Sequence, residues 1–482
     1  MTRPRTPDYS TSSTWRGPST AFRADRGDIK RVPGWWRDAS AIIAWGLVLF
    51  VVCLWLGGGA LGELGLMGSA ADAVTSVGRL SGLLASVLIL IQVAIMARIP
   101  WVEQAWGQDE LARVHRIVGF TSFSLMLTHI ALTIVGYAMG TGAEVLATFL
   151  DEVLGSPGML LALAGAIALV MVALTSLRRA RARLRYESWH LLHLYAYLGA
   201  GLALPHQLWT GRDFRSSTVA TVFWWGLYAA VLASVVAFRV VLPLLRSRRH
   251  ALVVRDVVAE SPDVVSVVME GRDLHRLPAR AGQFFQWRFL GAPGWSRANP
   301  YSLSAAPNGQ TLRITARGVG DSSARLAGLA PGTRVLLEGP YGRLHAGVAV
   351  RDRWLLMGAG IGITPLRALL EELPAGTDRT VVVYRASSGD ELVLTDELLS
   401  LAESKGARVL SMLGPRATSR HSWLPEDAAQ VDDAEALRSI VPDIAHREVY
   451  VCGSAPWMEL VIRAAQRSGV PPEAIHHERF TT

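Results

Sequence analysis

The chain is poor in cysteine. Among 482 residues there are two, Cys53 and Cys452, far apart in the sequence. Two thiols cannot build a disulfide framework, a four-cysteine iron–sulfur site or a structural zinc site. No stretch repeats another. The first residues lack the short apolar core and small-residue cleavage site of a signal peptide. Residues 1–38, rich in Arg, Ser, Thr and Pro, read instead as a disordered tail. The net charge of +8 comes mostly from arginine. Those arginines sit in short loops beside apolar runs, so a membrane explains them and no nucleic-acid partner is expected. What the chain has in quantity is apolar length. Half of its residues are hydrophobic, and they are concentrated before residue 245. Six runs, at 39–61, 78–99, 114–138, 157–177, 188–208 and 219–245, are each long enough to span a bilayer.

The loops between these runs set an orientation. Arg23, Arg26, Lys30, Arg31 and Arg37 precede the first run, five arginines follow the fourth, and the sixth exits through LLRSRRH. The segments after the first and third runs are poor in Lys and Arg. By the positive-inside rule both termini are cytoplasmic, and the protein is a multi-pass protein of the cytoplasmic membrane. Runs three and five then travel in the same direction, inside to outside.

Those two runs carry four histidines, and an ionisable residue at membrane depth is expensive enough to signal function. His115 and His129 are fourteen residues apart, a rise of about 21 Å and nearly four whole turns. His193 and His206 are thirteen apart, about 20 Å. The orientation places His115 with His193 at the inner level and His129 with His206 at the outer one, the arrangement that holds two stacked haems. No CxxCH is present, so the haems would lack thioether bonds and be b-type. The thirteen-residue spacing puts His206 on a different face from His193, which a kink at Pro205 would correct. His190, on a neighbouring face from His193, is the alternative ligand or a propionate partner. Four unrelated interfacial histidines are the bland alternative.

After about residue 247 the pattern changes to short β-branched strands broken by Gly, Pro and Asp, which suits a small antiparallel barrel. After about 351 strands alternate with helices, as in an α/β domain with a parallel sheet. Gly358-Ala359-Gly360-Ile361-Gly362-Ile363-Thr364-Pro365 follows an apolar strand and opens a helix. Such a turn lets backbone approach a pyrophosphate at a helix N-terminus, although it is not the GxGxxG fingerprint. Around it stand Gly282-Gln283-Phe284, Asn299-Pro300-Tyr301-Ser302-Leu303-Ser304, Arg317-Gly318-Val319-Gly320-Asp321-Ser322-Ser323, Gly339-Pro340-Tyr341-Gly342, Val451-Cys452-Gly453-Ser454 and Glu478-Arg479-Phe480.

In these motifs residues 250–482 resemble the ferredoxin-NADP reductase superfamily. The whole chain from about residue 40 resembles the ferric reductase and NADPH oxidase family, in which six helices with two b-haems precede such a module. The resemblance implies a disordered tail (1–38), a six-helix transmembrane bundle (39–246), an antiparallel β-barrel FAD domain (247–346) and an α/β parallel-sheet NAD(P)-binding domain (347–482). It implies that Tyr301 stacks on the isoalloxazine and that Phe284, Asn299 and Pro300 also line the cofactor. Ser302 would reach the flavin N5 edge, and Gly320, Ser322 and Ser323 would bind the FAD pyrophosphate. Gly358, Gly360, Gly362, Thr364 and Pro365 would line the nucleotide pyrophosphate. Cys452 and Gly453 would lie near the nicotinamide, and Phe480 would cover the flavin, its tail anchored by the preceding Glu-Arg pair. Many members have arginine where Asn299 stands. Asparagine cannot give a charge-assisted fork, which leaves Arg297 or Arg317 to substitute. Arg385 with Ser387 suits a 2′-phosphate, but solvation suits them equally, so NADPH and NADH both remain.

The expected function is electron transfer from cytoplasmic NAD(P)H through FAD and two b-type haems to an extracytoplasmic small-molecule acceptor, a ferric chelate or oxygen. Arg212 and Arg215 would draw either acceptor. The rival readings are a membrane module feeding a redox partner or quinone, and a flavin reductase on a haem-free anchor. A homo-oligomer is left open.

Overall fold

The computed structural model describes residues 31–65, 68–181, 183–184, 186–292, 294–318, 325–418 and 420–479. Gly320, Ser322, Ser323 and Phe480, together with the tail to residue 30, lie outside the described residues. Residues 35–38, expected in the tail, form the first turn of a helix.

The first half is helical: α1 Trp35–Trp55, α2 Ala70–Ile95, α3 Gln108–Thr141, α4 Met159–Ser176, α5 Tyr186–Trp209 and α6 Thr218–Val236. α1 continues to Leu64 and α6 to His250, each through one π-helical turn. With these extensions, α1, α2, α3, α4 and α6 are long and apolar enough to cross a membrane. The run expected at 188–208 is helical as α5 but stands outside that set. Local chemistry sets the ends. Ser69 and Asp72 exchange side-chain and backbone bonds in a capping box that opens α2. Asp109 and Glu110 complement the positive end of α3, and Gly142, at φ 70°, closes it. α3 is 34 residues long, about 51 Å, so it outruns a hydrocarbon core of about 30 Å.

α2 packs closely along α3, and α4 along α5, forming two hairpins with sparser contact between them. Small residues permit the closeness. A Cβ on Gly165 of α4 would lie 2.7 Å from the Gly199 carbonyl of α5.

The second half begins with β1 Val253–Ser261, β2 Val264–Glu270, β3 Phe284–Phe289, β4 Asn299–Ser302, β5 Thr311–Arg317 and β6 Val335–Tyr341. The expected barrel is instead two three-stranded antiparallel sheets, β1-β2-β5 and β4-β3-β6. Among the described residues isolated bridges join them, Val253 with Arg334 and Leu303 with Ile314, and beside these the Val335 amide donates to the Leu252 carbonyl at 2.9 Å. Between them lies an apolar core around Phe285, Trp287, Ile314 and Leu337.

Then come β7 Trp354–Ala359, α7 Ile363–Glu372, β8 Thr380–Ala386, α8 Thr395–Lys405, β9 Arg408–Leu413, α9 Asp433–Ile440, β10 Glu448–Cys452, α10 Ala455–Arg467 and β11 Ile475–His477. Their sheet is parallel, in the order β11-β10-β7-β8-β9. Chain order therefore reverses at β7, and in open α/β sheets a ligand crevice forms at the carboxyl end of such a strand.

The module meets one face of the helical half. Arg343 donates to the Ala105 carbonyl and Arg246 to the Gly339 carbonyl. Ser247 Oγ bonds the Leu337 carbonyl at 3.2 Å, and the Val32 amide donates to Gly347 O at 2.9 Å.

Candidate functional site

The four histidines stand on α3 and α5. The rings of His115 and His193 have centroids 6.0 Å apart. The structure thus brings the first of the expected pairs together. α5 carries Pro205 inside it and remains one helix.

The imidazoles are oriented from behind. His115 Nδ1 lies 3.4 Å from the Gln92 carbonyl, His129 Nδ1 2.9 Å from the Gly78 carbonyl, and His193 Nδ1 3.2 Å from Ser176 Oγ. An Nδ1–H engaged in this way fixes the tautomer that leaves Nε2 free to ligate. His206 differs: its buried Nδ1 has no partner in hydrogen-bond geometry. His190 is exposed, whereas His193 faces His115.

The His115–His193 pair has the spacing that would hold a haem. Two metal–imidazole bonds of about 2 Å, plus a ring radius on each side, put centroids roughly 6 Å apart. Among the described residues no three His, Cys, Asp or Glu gather to hold a metal. A porphyrin needs no such group, since it supplies four ligands itself and asks the protein for axial ones.

Sequence reading missed a charged cluster at the end of the bundle away from the module. Arg79, within α2, pairs with Glu63 at 2.6 Å and with Asp213 at 3.1 Å. Arg212 binds the same Glu63 at 2.8 Å while its side chain stays more than half exposed, and Arg215 donates to Trp209 O at 3.0 Å. Arg79 adjoins Gly78, whose carbonyl holds His129. An arginine inside an apolar run was the available signal.

In the module, β3 pairs with β4 so that Phe284 faces Ser302 and Phe285 faces Tyr301. Trp287 Nε1 donates to the Tyr301 carbonyl at 2.9 Å and fixes that strand. Burial pushes the Tyr301 phenol up to about 12. Ser302 is buried and its Oγ has no hydrogen-bond partner, an orphan polar group of the kind a bound ligand satisfies. Pro300 is exposed. Asn299 Nδ2 reaches only the Arg297 carbonyl, at 3.4 Å. Arg317 pairs with Asp263 at 3.1 Å and lies beside Gly360, 3.9 Å from the position of a Cβ there.

At the switch point, Gly358 pairs with Cys452 across β7 and β10, and Ala359 with Arg385 across β7 and β8. Gly360 has φ 53°, and a Cβ on Gly362 would sit 2.8 Å from the Gly453 amide nitrogen. The turn is therefore closed to side chains. It feeds α7, whose first turn has no side-chain cap; the Ile363 amide donates back to the Gly360 carbonyl, and Pro365 has no amide hydrogen. Thr364 Oγ1 bonds back to the Ile361 carbonyl at 2.9 Å, and Thr364 and Pro365 are buried. Cys452 is buried, and burial pushes its thiol up to about 12. Arg385 is also buried. Its guanidinium donates to the carbonyls of Ala386, Met412 and Pro415, so it is turned into its own domain rather than toward a 2′-phosphate.

The expected tail anchor is present. Glu478, buried, accepts from the Arg343 amide at 2.7 Å, and burial holds its carboxyl well above the usual carboxylate range. The Arg479 amide donates to Asp109 of α3 at 3.2 Å.

Comparison with known proteins agrees with both halves. Residues 81–204 match the family described as ferric reductase like transmembrane component. The ferredoxin reductase component of a 3-ketosteroid-9-alpha-monooxygenase from Rhodococcus rhodochrous is 30% identical over 244 residues, 49% of this chain and 66% of that one. A flavohemoprotein of Xylella fastidiosa is 26% identical over 237 residues, 46% of this chain and 56% of that one. The FAD/NAD-binding domain of a nitric oxide dioxygenase from Vibrio cholerae is 25% identical, covering 48% of this chain and 99% of that domain, with a TM-score of 0.38. The chain thus spans two thirds or less of these curated relatives' length. The helical half thus carries a ferric reductase-like transmembrane component, and the module is similar to the reductase components of oxidoreductase systems.

Proposed function

We propose that the protein moves electrons from cytoplasmic NAD(P)H across the membrane to an extracytoplasmic small acceptor, a ferric chelate or oxygen. Bound FAD would take the hydride and release its electrons singly, and two b-type haems would carry them across the bilayer. The observation that carries this reading is the 6.0 Å separation of the His115 and His193 rings.

In this reading α5 is a sixth span, and residues 39–246, 247–346 and 347–482 are the haem, FAD and nucleotide domains. His115 with His193, and His129 with His206, would hold the two haems. Tyr301 covers a flat ring with an aromatic face. Ser302 offers its unpaired hydroxyl to the flavin edge. The Gly358–Gly362 turn and the amides of α7 receive a pyrophosphate. Cys452 contributes a neutral, apolar surface beside the nicotinamide. The arginines of the loops turn the module face to the cytoplasm.

The test is purification in detergent, pyridine haemochrome quantitation and an acceptor screen with NADH and NADPH. Two b-haems per chain and nucleotide-driven reduction of a small acceptor are expected. A spectrum without b-type bands overturns the haem reading. Reduction of a co-purified protein but of no small acceptor favours a partner-feeding module.

A further inference from the structure

We infer that Arg367 is a positioning residue that sets the spacing between the nucleotide turn and the flavin edge, an inference that rests on the function proposed above. A buried charged cluster joins the two lobes of the module. Arg313, on β5, grips Glu397 of α8 with two bonds of 2.8 Å. Arg367, on α7, approaches the same carboxylate at 3.1 Å. Both arginines also reach one acceptor, the Ser304 carbonyl, Arg313 at 2.9 Å and Arg367 at 3.3 Å. Arg367 binds Glu371 one turn on, and Glu371 accepts from the Ala306 amide at 2.9 Å.

The cluster's place in the chain gives it its meaning. Ser304 lies two residues beyond Ser302, whose unpaired hydroxyl marks the flavin edge; two extended residues span at most about 7 Å. Arg367 lies five residues beyond Gly362, about 7.5 Å along a helix. The two arms that would hold the reacting partners are therefore tied together close behind the reaction. Both arginine side chains are nearly buried, 4% exposed for Arg313 and 9% for Arg367. Apolar packing would close these lobes as well, and a buried ionic network is not needed for stability alone. What it adds is direction. Each guanidinium has fixed donors, so the network admits one register between the lobes where an apolar contact admits several. Hydride transfer depends steeply on such registration, and a shift of about 1 Å costs on the order of 100-fold.

The experiment uses the full-length protein and Arg367→Met, which keeps the stem and removes the fork. FAD content and the Kd of the oxidised protein for NADP⁺ and NAD⁺ should stay within about twofold. Stopped-flow flavin reduction should slow by about 10-fold or more, with loss of the long-wavelength charge-transfer absorbance between nicotinamide and flavin. Arg367→Lys, which can still reach one partner, should recover part of the rate. Flavin reduction at the wild-type rate in Arg367→Met overturns the inference. So does loss of FAD from both variants, which would make Arg367 a folding residue. If the wild-type protein binds no FAD, or NAD(P)H does not reduce its flavin, it is the proposed function that fails.

Discussion

His129 Nδ1 lies 2.9 Å from the Gly78 carbonyl and 3.3 Å from Thr133 Oγ1. These contacts leave Nε2 as the atom that would ligate in the proposed function. His129→Ala should remove the haem on the side away from the module and keep the other, halving the pyridine-haemochrome signal to about one haem per chain. Full haem content in all four single His→Ala variants would refute the assignment. Cys452 allows a prediction in pH. Burial raises its thiol from 9.0 to about 12, so the folded state favours the protonated form. Its stabilising contribution is complete below about pH 9 and is lost as pH rises toward 12. Thermal unfolding of the wild type should therefore move to lower temperature above pH 9, and Cys452→Ala should show a smaller drop. At pH 8 the thiol should resist iodoacetamide until the fold opens. These side chains were legible in the sequence because each carries its own signal: an imidazole in an apolar run, or a cysteine at the end of a β-branched strand. Arg385 stayed open in the sequence between a 2′-phosphate and solvation. Its charge is visible in sequence, but the carbonyls of Ala386, Met412 and Pro415 that absorb it are not.

At the scale of elements, α2 matters more than its composition suggests. It carries none of the four paired histidines, yet its glycines make room for one of them. A Cβ on Gly82 would lie 2.6 Å from His129 Nδ1, and one on Gly78 would lie 2.9 Å from the Thr133 amide nitrogen. Gly82→Ala should therefore push the His129 ring aside and reduce the haem away from the module by at least about half, with the other haem unchanged. Gly46→Ala is the control, because nothing stands within 4 Å of its added carbon. Equal haem content in both variants would mean that α2 does not shape the site. Apolar periodicity revealed the helices, but it shortened α3, whose first turns, rich in polar residues, stand outside the apolar run. It also suggested a barrel. Strand pattern reports alternation, and closure depends on how strand edges meet, which the pattern along one strand does not carry.

The whole molecule is joined by pairs far apart in sequence, such as Arg313 with Glu397 and Arg343 with Ala105. Sequence order gives no warning of them, since any arginine has many carboxylates to choose among. The junction between the halves turns on Arg98. It is held in the left-handed region at φ 64°, a conformation that surrounding contacts must enforce. Its guanidinium binds Glu103 at 2.8 Å and Gln108 at 2.6 Å, and it lies 4.2 Å from the centre of the Tyr341 ring, which belongs to the module. Glu103 is itself buried, and burial raises its carboxyl above the usual range even beside this arginine. Removing the cation leaves that acid uncompensated, a loss of about 3–5 kcal/mol for a broken buried pair, and takes away the cation–π contact that ties Tyr341 to the helical half. Arg98→Met should therefore loosen docking while leaving the reductase lobes intact. NAD(P)H-driven reduction of a soluble dye should continue at close to the wild-type rate, and haem reduction in the same preparation should slow by about 10-fold or more. Arg98→Met with Glu103→Leu, which removes the stranded acid, should recover part of the haem reduction. Wild-type haem reduction in the single variant would show that electrons enter the membrane half by contacts that do not depend on Arg98.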